Sequence, residues 1–364
     1  MKVCCMTFIN TRNYGTCLQA YALQTAAEGL GHSYRIIRYQ SEVDRRWSSL
    51  FLRPVGMPLK TYLFRLLPSF PVRLYRTAKF AGFTRKHLRF TASCKTLDDL
   101  RALDAQADAF LCGSDVIWRN DMTGYDPAFY LCFTEKRRIA YAPSLGKSAQ
   151  SERDGDMVRR WVPPFYAVSV REKSGAEQVS QWLNRPVAVA LDPTLLLTKR
   201  QWAKLAALPA ARAPYILVYS GSLSPALSAF AERLSRITGH RVIHTSAKAE
   251  AALREKAGFP TPRKWLGLLL NAGYVVTNSF HGTAFAVNFQ KNFYTVVEGK
   301  PTDAANVRLY DFLDGLSLAD RICRGAEDAI DLRPPDYGVA TPRLQAAREQ
   351  SMLFLENSLA GNAP

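Results

Sequence analysis

The chain has 364 residues, 48% of them hydrophobic and 22% charged, with 48 Lys plus Arg against 31 Asp plus Glu for a formal net charge of +17. That apolar content supports two packed domains and excludes a disordered chain, a fibrous repeat and a disulfide-stapled miniprotein. The cation excess points to an anionic partner: a nucleic acid, a membrane surface or a phosphorylated small molecule. The seven cysteines, Cys4, Cys5, Cys17, Cys94, Cys112, Cys132 and Cys323, are scattered and never spaced as CxxC. This fits a reducing cytoplasm and suggests neither a disulfide framework nor a zinc site. The amino-terminal apolar run is too short for a signal peptide, and no stretch approaches the roughly 20 apolar residues of a membrane span, so any membrane contact is expected to be peripheral.

In chain order, Val3 to Ile9 predicts a buried strand, Asn10 to Gly15 a polar loop, Thr16 to Leu30 a helix closed by Gly31, and Arg35 to Tyr39 a second strand. Two strands joined through a helix imply a parallel sheet. The pattern returns at Ala109 to Cys112, Ile139 to Ala142, Val168 to Val170 and Val187 to Leu191. After a polar, proline-bearing stretch from Thr198 to Pro214 a second series begins. Tyr215 to Tyr219, Arg241 to His244 and Tyr274 to Thr277 read as strands; Pro225 to Thr238, Trp265 to Asn271 and Gly282 to Phe289 read as helices. The expected fold class is α/β, with two doubly wound, Rossmann-like domains facing across a cleft at their sheets' carboxyl edges. The expected boundaries are 1–197 for the amino-terminal domain and 198–340 for the carboxy-terminal one. A helix and tail then follow over 341–364, the helix packing across the junction.

One segment differs in composition. From Arg45 to Leu97 there is no Asp or Glu, while twelve Lys and Arg alternate with aromatics and leucines such as Trp47, Phe51, Tyr62, Phe64, Tyr75 and Phe80. It reads as a basic aromatic insertion at about 45–97. Such a mixture suits an anionic bilayer interface and equally suits a half-buried helical excursion with solvated cations. Nucleic acid is disfavoured as a partner because no recognised binding module accompanies the charge.

Thr277-Asn278-Ser279-Phe280-His281-Gly282-Thr283 follows a strand and opens a helix, where backbone N–H groups and the helix dipole hold an anion. His281 is therefore the candidate acid or base, with a histidine capping a buried turn as the structural alternative. Asn13-Tyr14-Gly15 and Gly113-Ser114-Asp115 sit at equivalent strand-to-helix turns, which a helix cap also explains. Arg171 ends a strand, placed for a carboxylate or phosphate, or for a surface ion pair. Asp192-Pro193-Thr194 reads as a strand-terminating turn. There is no P-loop, no GxGxxG after a strand, no HExxH and no GxSxG, which counts against ATP chemistry, dinucleotide oxidation, zinc hydrolysis and serine hydrolysis.

Six windows in order carry a resemblance: Asn13 to Gln24, Gly113 to Trp118, Tyr141 to Gly146, Ser169 to Gly175, Asp192 to Leu196 and Asn278 to Thr283. Together, over about Lys2 to Arg321, they resemble the polysaccharide pyruvyl transferase family. The resemblance implies a GT-B-like pair of domains, the first facing the acceptor and the second the donor. It also implies transfer of the enolpyruvyl group of phosphoenolpyruvate onto a sugar, forming a pyruvate ketal and releasing phosphate. It casts His281 as general acid and Arg171 as a donor-binding cation, with Asn278, Ser279 and Gly282 beside them. Asn13, Tyr14, Gly15 and Ser114 fall on the acceptor side, with Asp115 as the candidate base. Many members carry Arg-Leu-His-Gly where this chain has Ser279-Phe280-His281-Gly282, so one expected arginine is missing at Ser279. Phosphoenolpyruvate carries two anionic groups, and Arg308 is the candidate replacement, a solvated arginine starting a helix being the alternative. No metal or cofactor is inferred, because arginines and helix amides suffice for the charge. The acceptor is expected to be a glycan or its polyprenyl-diphosphate-linked precursor, met at the inner face of the plasma membrane through residues 45–97. The rival readings are a GT-B glycosyltransferase using a nucleotide sugar and a non-catalytic glycan- or membrane-binding homologue.

Overall fold

The protein is described from a computed structural model, which describes residues 1–9, 12–43, 58–146, 151–208, 214–222, 224–247, 258–301, 303 and 306–362. Two parallel sheets organise it. The first has seven strands: β1 (Lys2–Met6), β2 (Ser33–Tyr39), β3 (Phe90–Cys94), β4 (Ala109–Cys112), β5 (Arg137–Ala140), β6 (Ala167–Val170) and β7 (Ala188–Val189), in the order β3-β2-β1-β4-β5-β6-β7. The second has five: β8 (Tyr215–Ser220), β9 (Arg241–Ser246), β10 (Tyr274–Thr277), β11 (Asn292–Val296) and β12 (Ile322–Cys323), in the order β12-β11-β10-β8-β9. The central strands β4, β6 and β8 are buried at every residue, as strands covered by helices on both faces must be. In each sheet the order reverses once, between β1 and β4 and between β8 and β10. A crevice opens at such a reversal, outside the carboxyl ends of the strands.

The helices that matter to that crevice are α1 (Tyr14–Gly29), α2 (Leu59–His87), α3 (Lys173–Leu183), α4 (Pro262–Asn271), α5 (Phe280–Asn288), α6 (Val307–Gly315) and α7 (Tyr337–Ala360). Asn13 caps α1 by accepting the Gly15 N–H at 2.8 Å. α7 spans both sheets: Tyr337 Oη donates to Lys291 O at 2.6 Å near its start, while Leu355 and Leu359 pack into the first sheet's core near its end.

The described part of the basic stretch is a helix and an edge strand of the first sheet. Residues 45–57 lie outside the described residues, but α2 is the crossover from β2, and Phe90–Cys94 forms the edge strand paired with β2. The second half of α2 turns Arg76, Phe80 and Phe83 inward at helical spacing, all nearly inaccessible, and leaves Leu74 and Tyr75 each 51% exposed. The strand escaped the sequence reading because Phe-Thr-Ala-Ser-Cys is short and only weakly apolar. Elsewhere Ala109–Cys112, Pro225–Thr238 and Tyr274–Thr277 match their expected bounds, whereas the expected Val187 to Leu191 strand shrinks to Ala188–Val189 at the sheet edge.

Candidate active site

The carboxyl ends of β1 and β4 meet those of β8 and β10 across the crevice. α1 comes so close to α5 that a Cβ built on Gly15 would lie 2.0 Å from His281 Nδ1, so only a glycine leaves the imidazole its place. Tyr14, next to it, stacks on Trp265 of α4 with centroids 4.9 Å apart and planes parallel, and donates to Pro260 O at 2.9 Å. It thus ties the two lobes together and is fully buried. Gly282 lets α5 sit tightly on β10, since a Cβ there would meet Thr277 Oγ1 at 2.3 Å.

His281 is 7% exposed. Its Nε2 is enclosed, has no hydrogen-bond partner, and stands 3.4 Å from Asp192 Oδ2. The same oxygen accepts from Arg171 Nη1 at 2.9 Å, and Arg171 Nε donates to Glu172 Oε1 at 2.8 Å. The other Asp192 oxygen caps the Pro193–Leu195 turn, accepting Thr194 N–H at 3.0 Å and Thr194 Oγ1–H at 2.7 Å. Burial alone would push the Asp192 carboxyl upward, but His281 and Arg171 beside it outweigh that and hold it well below the usual carboxylate range. Phe280 covers Arg171, whose guanidinium carbon lies 4.2 Å from the ring centroid.

Arg171 is therefore occupied on two edges; only Nη2 is enclosed and unpartnered. Arg308 differs. It starts α6, which docks on the first lobe where Asp311 accepts from Ser174 N and Oγ of α3 at 3.2 and 2.7 Å. Its Nε is buried without a partner. Burial and the neighbouring Arg171 guanidinium pull its pKa down to about 10, while Glu172 and Asp115 act in the opposite direction. The group stays cationic at neutral pH beside a second guanidinium, that of Arg171.

On the other wall Asp115 adopts a left-handed backbone, φ 66°. Its Oδ2 accepts from Thr16 Oγ1 at 2.6 Å and its Oδ1 from Val116 N–H at 2.9 Å. Ser114 is fully enclosed; its hydroxyl donates to Ala142 O at 2.6 Å and its N–H to Gln19 Oε1 at 3.3 Å. It therefore braces the turn. Asn13, half-buried at the end of α1, lies 3.5 Å from Tyr219 Oη. Asn278 Oδ1 accepts Gly221 N–H at 2.8 Å, and Ser279 begins α5 without a side-chain cap. Among the described residues no three His, Cys, Asp or Glu side chains gather as a metal site would need.

Sequence reasoning gave Asp192 only the role of a strand-terminating turn and gave Glu172 and Phe280 none. Asp192 is the turn-former it was read to be; its second contact, to His281, comes from the other lobe and leaves no local signature. Glu172, directly after Arg171, was the one legible cue that this arginine sits in an ionic cluster.

Among solved structures, the fold is similar to UDP-GlcNAc 2-epimerase from Neisseria meningitidis bound to UDP-GlcNAc, at 8% identity and TM-score 0.45 over 98% of this chain and 93% of that one. It is also similar to the E. coli ADP-heptose lps heptosyltransferase II, at 13% identity and TM-score 0.37 over 96% and 99%. No curated protein matches the chain. The profile of the polysaccharide pyruvyl transferases matches residues 13–299, a span that takes in His281, Asp192, Arg171, Asp115 and Gly15, and the chain belongs to the polysaccharide pyruvyl transferase family.

Proposed function

We propose that the crevice binds phosphoenolpyruvate beside His281 and transfers its enolpyruvyl group to two hydroxyls of a cell-surface glycan or of its lipid-linked precursor. The observation that carries this reading is Arg308: a cation beside the already paired Arg171 guanidinium, its own Nε buried without a partner. Enclosing a guanidinium N–H without an acceptor is costly unless an anion completes the site. The donor's carboxylate and phosphate call for such a cation, supported by Arg171 Nη2 and by the start of α5 at Ser279, Phe280 and Gly282, whose helix dipole favours negative charge. Asn278 would shape that edge.

The reaction needs an acid at the methylene carbon. A proton from His281 forms the new C–H bond with the enol's π pair and leaves C2 as an oxocarbenium ion; a sugar oxygen attacks C2 as its own proton departs. A second hydroxyl then displaces phosphate, giving its proton to the neutral His281 imidazole while the phosphate leaves with the C–O bonding pair. His281, recharged, can protonate that departing phosphate. Asp115, each of whose oxygens keeps a lone pair, is the carboxylate offered to an acceptor hydroxyl, with Asn13 and Gly15 on the wall around it and the fully buried Tyr14 and Ser114 bracing that wall from behind. A doubly charged donor enclosed by guanidinium groups and amides is stabilised where charge develops, in a site that excludes water.

The exposed face of α2 and the acid-free composition of residues 45–97 support docking at an anionic membrane, where a polyprenyl-diphosphate-linked acceptor would be met on the cytoplasmic side. Incubation with phosphoenolpyruvate and a glycan acceptor tests the central reaction. Phosphate release with the mass gain of a ketal on the acceptor is the expected result; turnover only with a nucleotide sugar supports a glycosyltransferase instead, and an inert protein supports a binding homologue.

A further inference from the structure

His281 has two ring nitrogens, and the structure treats them unequally. Nε2 is enclosed and lies 3.4 Å from Asp192 Oδ2, with no hydrogen-bond partner. Nδ1 lies on the opposite edge, in the place that a side chain on Gly15 of the facing lobe would fill, and is not one of the enclosed, unpartnered atoms as Nε2 is. Asp192 is itself fixed from two directions: Arg171 Nη1 holds Oδ2 at 2.9 Å, and the Thr194 N–H and hydroxyl hold Oδ1 at 3.0 and 2.7 Å. Its side chain has no solvent exposure. A carboxylate locked this firmly beside one imidazole nitrogen sets the tautomer and ring orientation of the other.

We infer that Asp192 is a positioning residue which keeps a proton on His281 Nε2, so that Nδ1 is the nitrogen that delivers its proton to the donor. In the transfer step the Nδ1–H bond breaks, the proton bonds to the methylene carbon through the enol's π pair, and the imidazole is left neutral with a lone pair on Nδ1 and hydrogen still on Nε2. Arg171, on this account, acts through Asp192: its charge keeps that carboxylate ionised while its Nη2 remains for the donor. The inference rests on the reading of His281 as the proton donor, but it concerns a property measurable without turnover.

The test is 15N NMR of the whole protein labelled at histidine. Five imidazoles are present, and His281 is assigned by the signal lost in His281→Gln. The expected result, above the imidazole titration, is the Nε2–H tautomer with a directly visible, slowly exchanging Nε2 proton. A neutral imidazole carrying its proton on Nδ1, or an Nε2 proton too fast in exchange to observe, overturns the inference. In Asp192→Asn the protected signal is expected to disappear and kcat to fall at least about tenfold with donor Kd altered far less; an unchanged Nε2 signal in that variant also overturns it. Thr194→Val loosens the same turn and leaves the carboxylate in place, so it separates loss of the turn from loss of the charge: its Nε2 signal should persist. If Asp192→Asn does not fold, the wild-type tautomer and exchange rate decide alone. A correct tautomer in a protein that transfers no pyruvyl group would refute the proposed function and leave this geometry standing.

Discussion

At the scale of single residues, the site depends on what is small as much as on what is charged. Gly15 belongs to the first lobe, yet its missing side chain is what admits the His281 ring, since a Cβ would reach to 2.0 Å of Nδ1 and 2.2 Å of Cγ. Gly15→Ala should therefore displace the imidazole without touching its chemistry. The expected outcome is a fall in kcat of about 10²-fold or more, the order of a lost general acid, with little change in thermal midpoint; kinetics and a melting curve on the same preparation check it. The sequence marked Gly15 as a turn glycine and His281 as a candidate acid, and both readings were available from local spacing. That one is the reason for the other was not, because their contact joins two lobes. Asp192 was similarly half-legible: Asp-Pro-Thr announces a turn, and only the fold brings Arg171 and His281 to its second oxygen.

At the scale of elements, α2 illustrates how composition and periodicity compete. Its lack of acidic residues drew attention to membrane docking, and its inward face at Arg76, Phe80 and Phe83 shows ordinary packing against the lobes. Arg76 Nη2 donates to Arg12 O and to Ala247 O, both at 2.6 Å, so this cation belongs to the scaffold. The outer face, with Leu74 and Tyr75 exposed and Lys79 Nζ 4.9 Å from the Tyr75 ring centroid, is the face on which the proposed membrane contact rests. Leu74→Ser with Tyr75→Ser and Lys79→Glu should reduce sedimentation with anionic vesicles several-fold while sparing transfer to a soluble acceptor; each charge near such a surface is worth about 1 kcal/mol. Vesicle binding equal to wild type would remove this face from the account. No helix among the described residues is long and apolar enough to cross a membrane.

At the scale of the whole molecule, two sheets with opposed switch points create the crevice, and an apolar cluster through Tyr14, Trp265, Phe80 and Phe285 holds the lobes together. The alternation of strands and helices made this architecture readable from sequence; the closeness of the lobes, which depends on Tyr14 meeting Trp265, was not. The ionic cluster at the centre also links the fold to pH. The Asp192 carboxyl is held below its ordinary range when folded, so its contribution to stability is present above the unfolded carboxylate pKa, about 3.9, and is lost as pH falls through the lower folded value. The stability gap between wild type and Asp192→Asn should therefore be full at neutral pH and shrink below about pH 4, as denaturant titrations across that range would show.

Isothermal titration of phosphoenolpyruvate into the wild-type protein and into Arg308→Ala reaches the centre of the account most directly. A saturable heat in the wild type that weakens about 10- to 100-fold in the variant, the worth of about 1.5–3 kcal/mol for a hydrogen bond to a charged group, is the predicted result. No saturable heat in the wild type, or equal affinity in the two proteins, would contradict the assignment of this crevice to a doubly anionic donor gripped by Arg308.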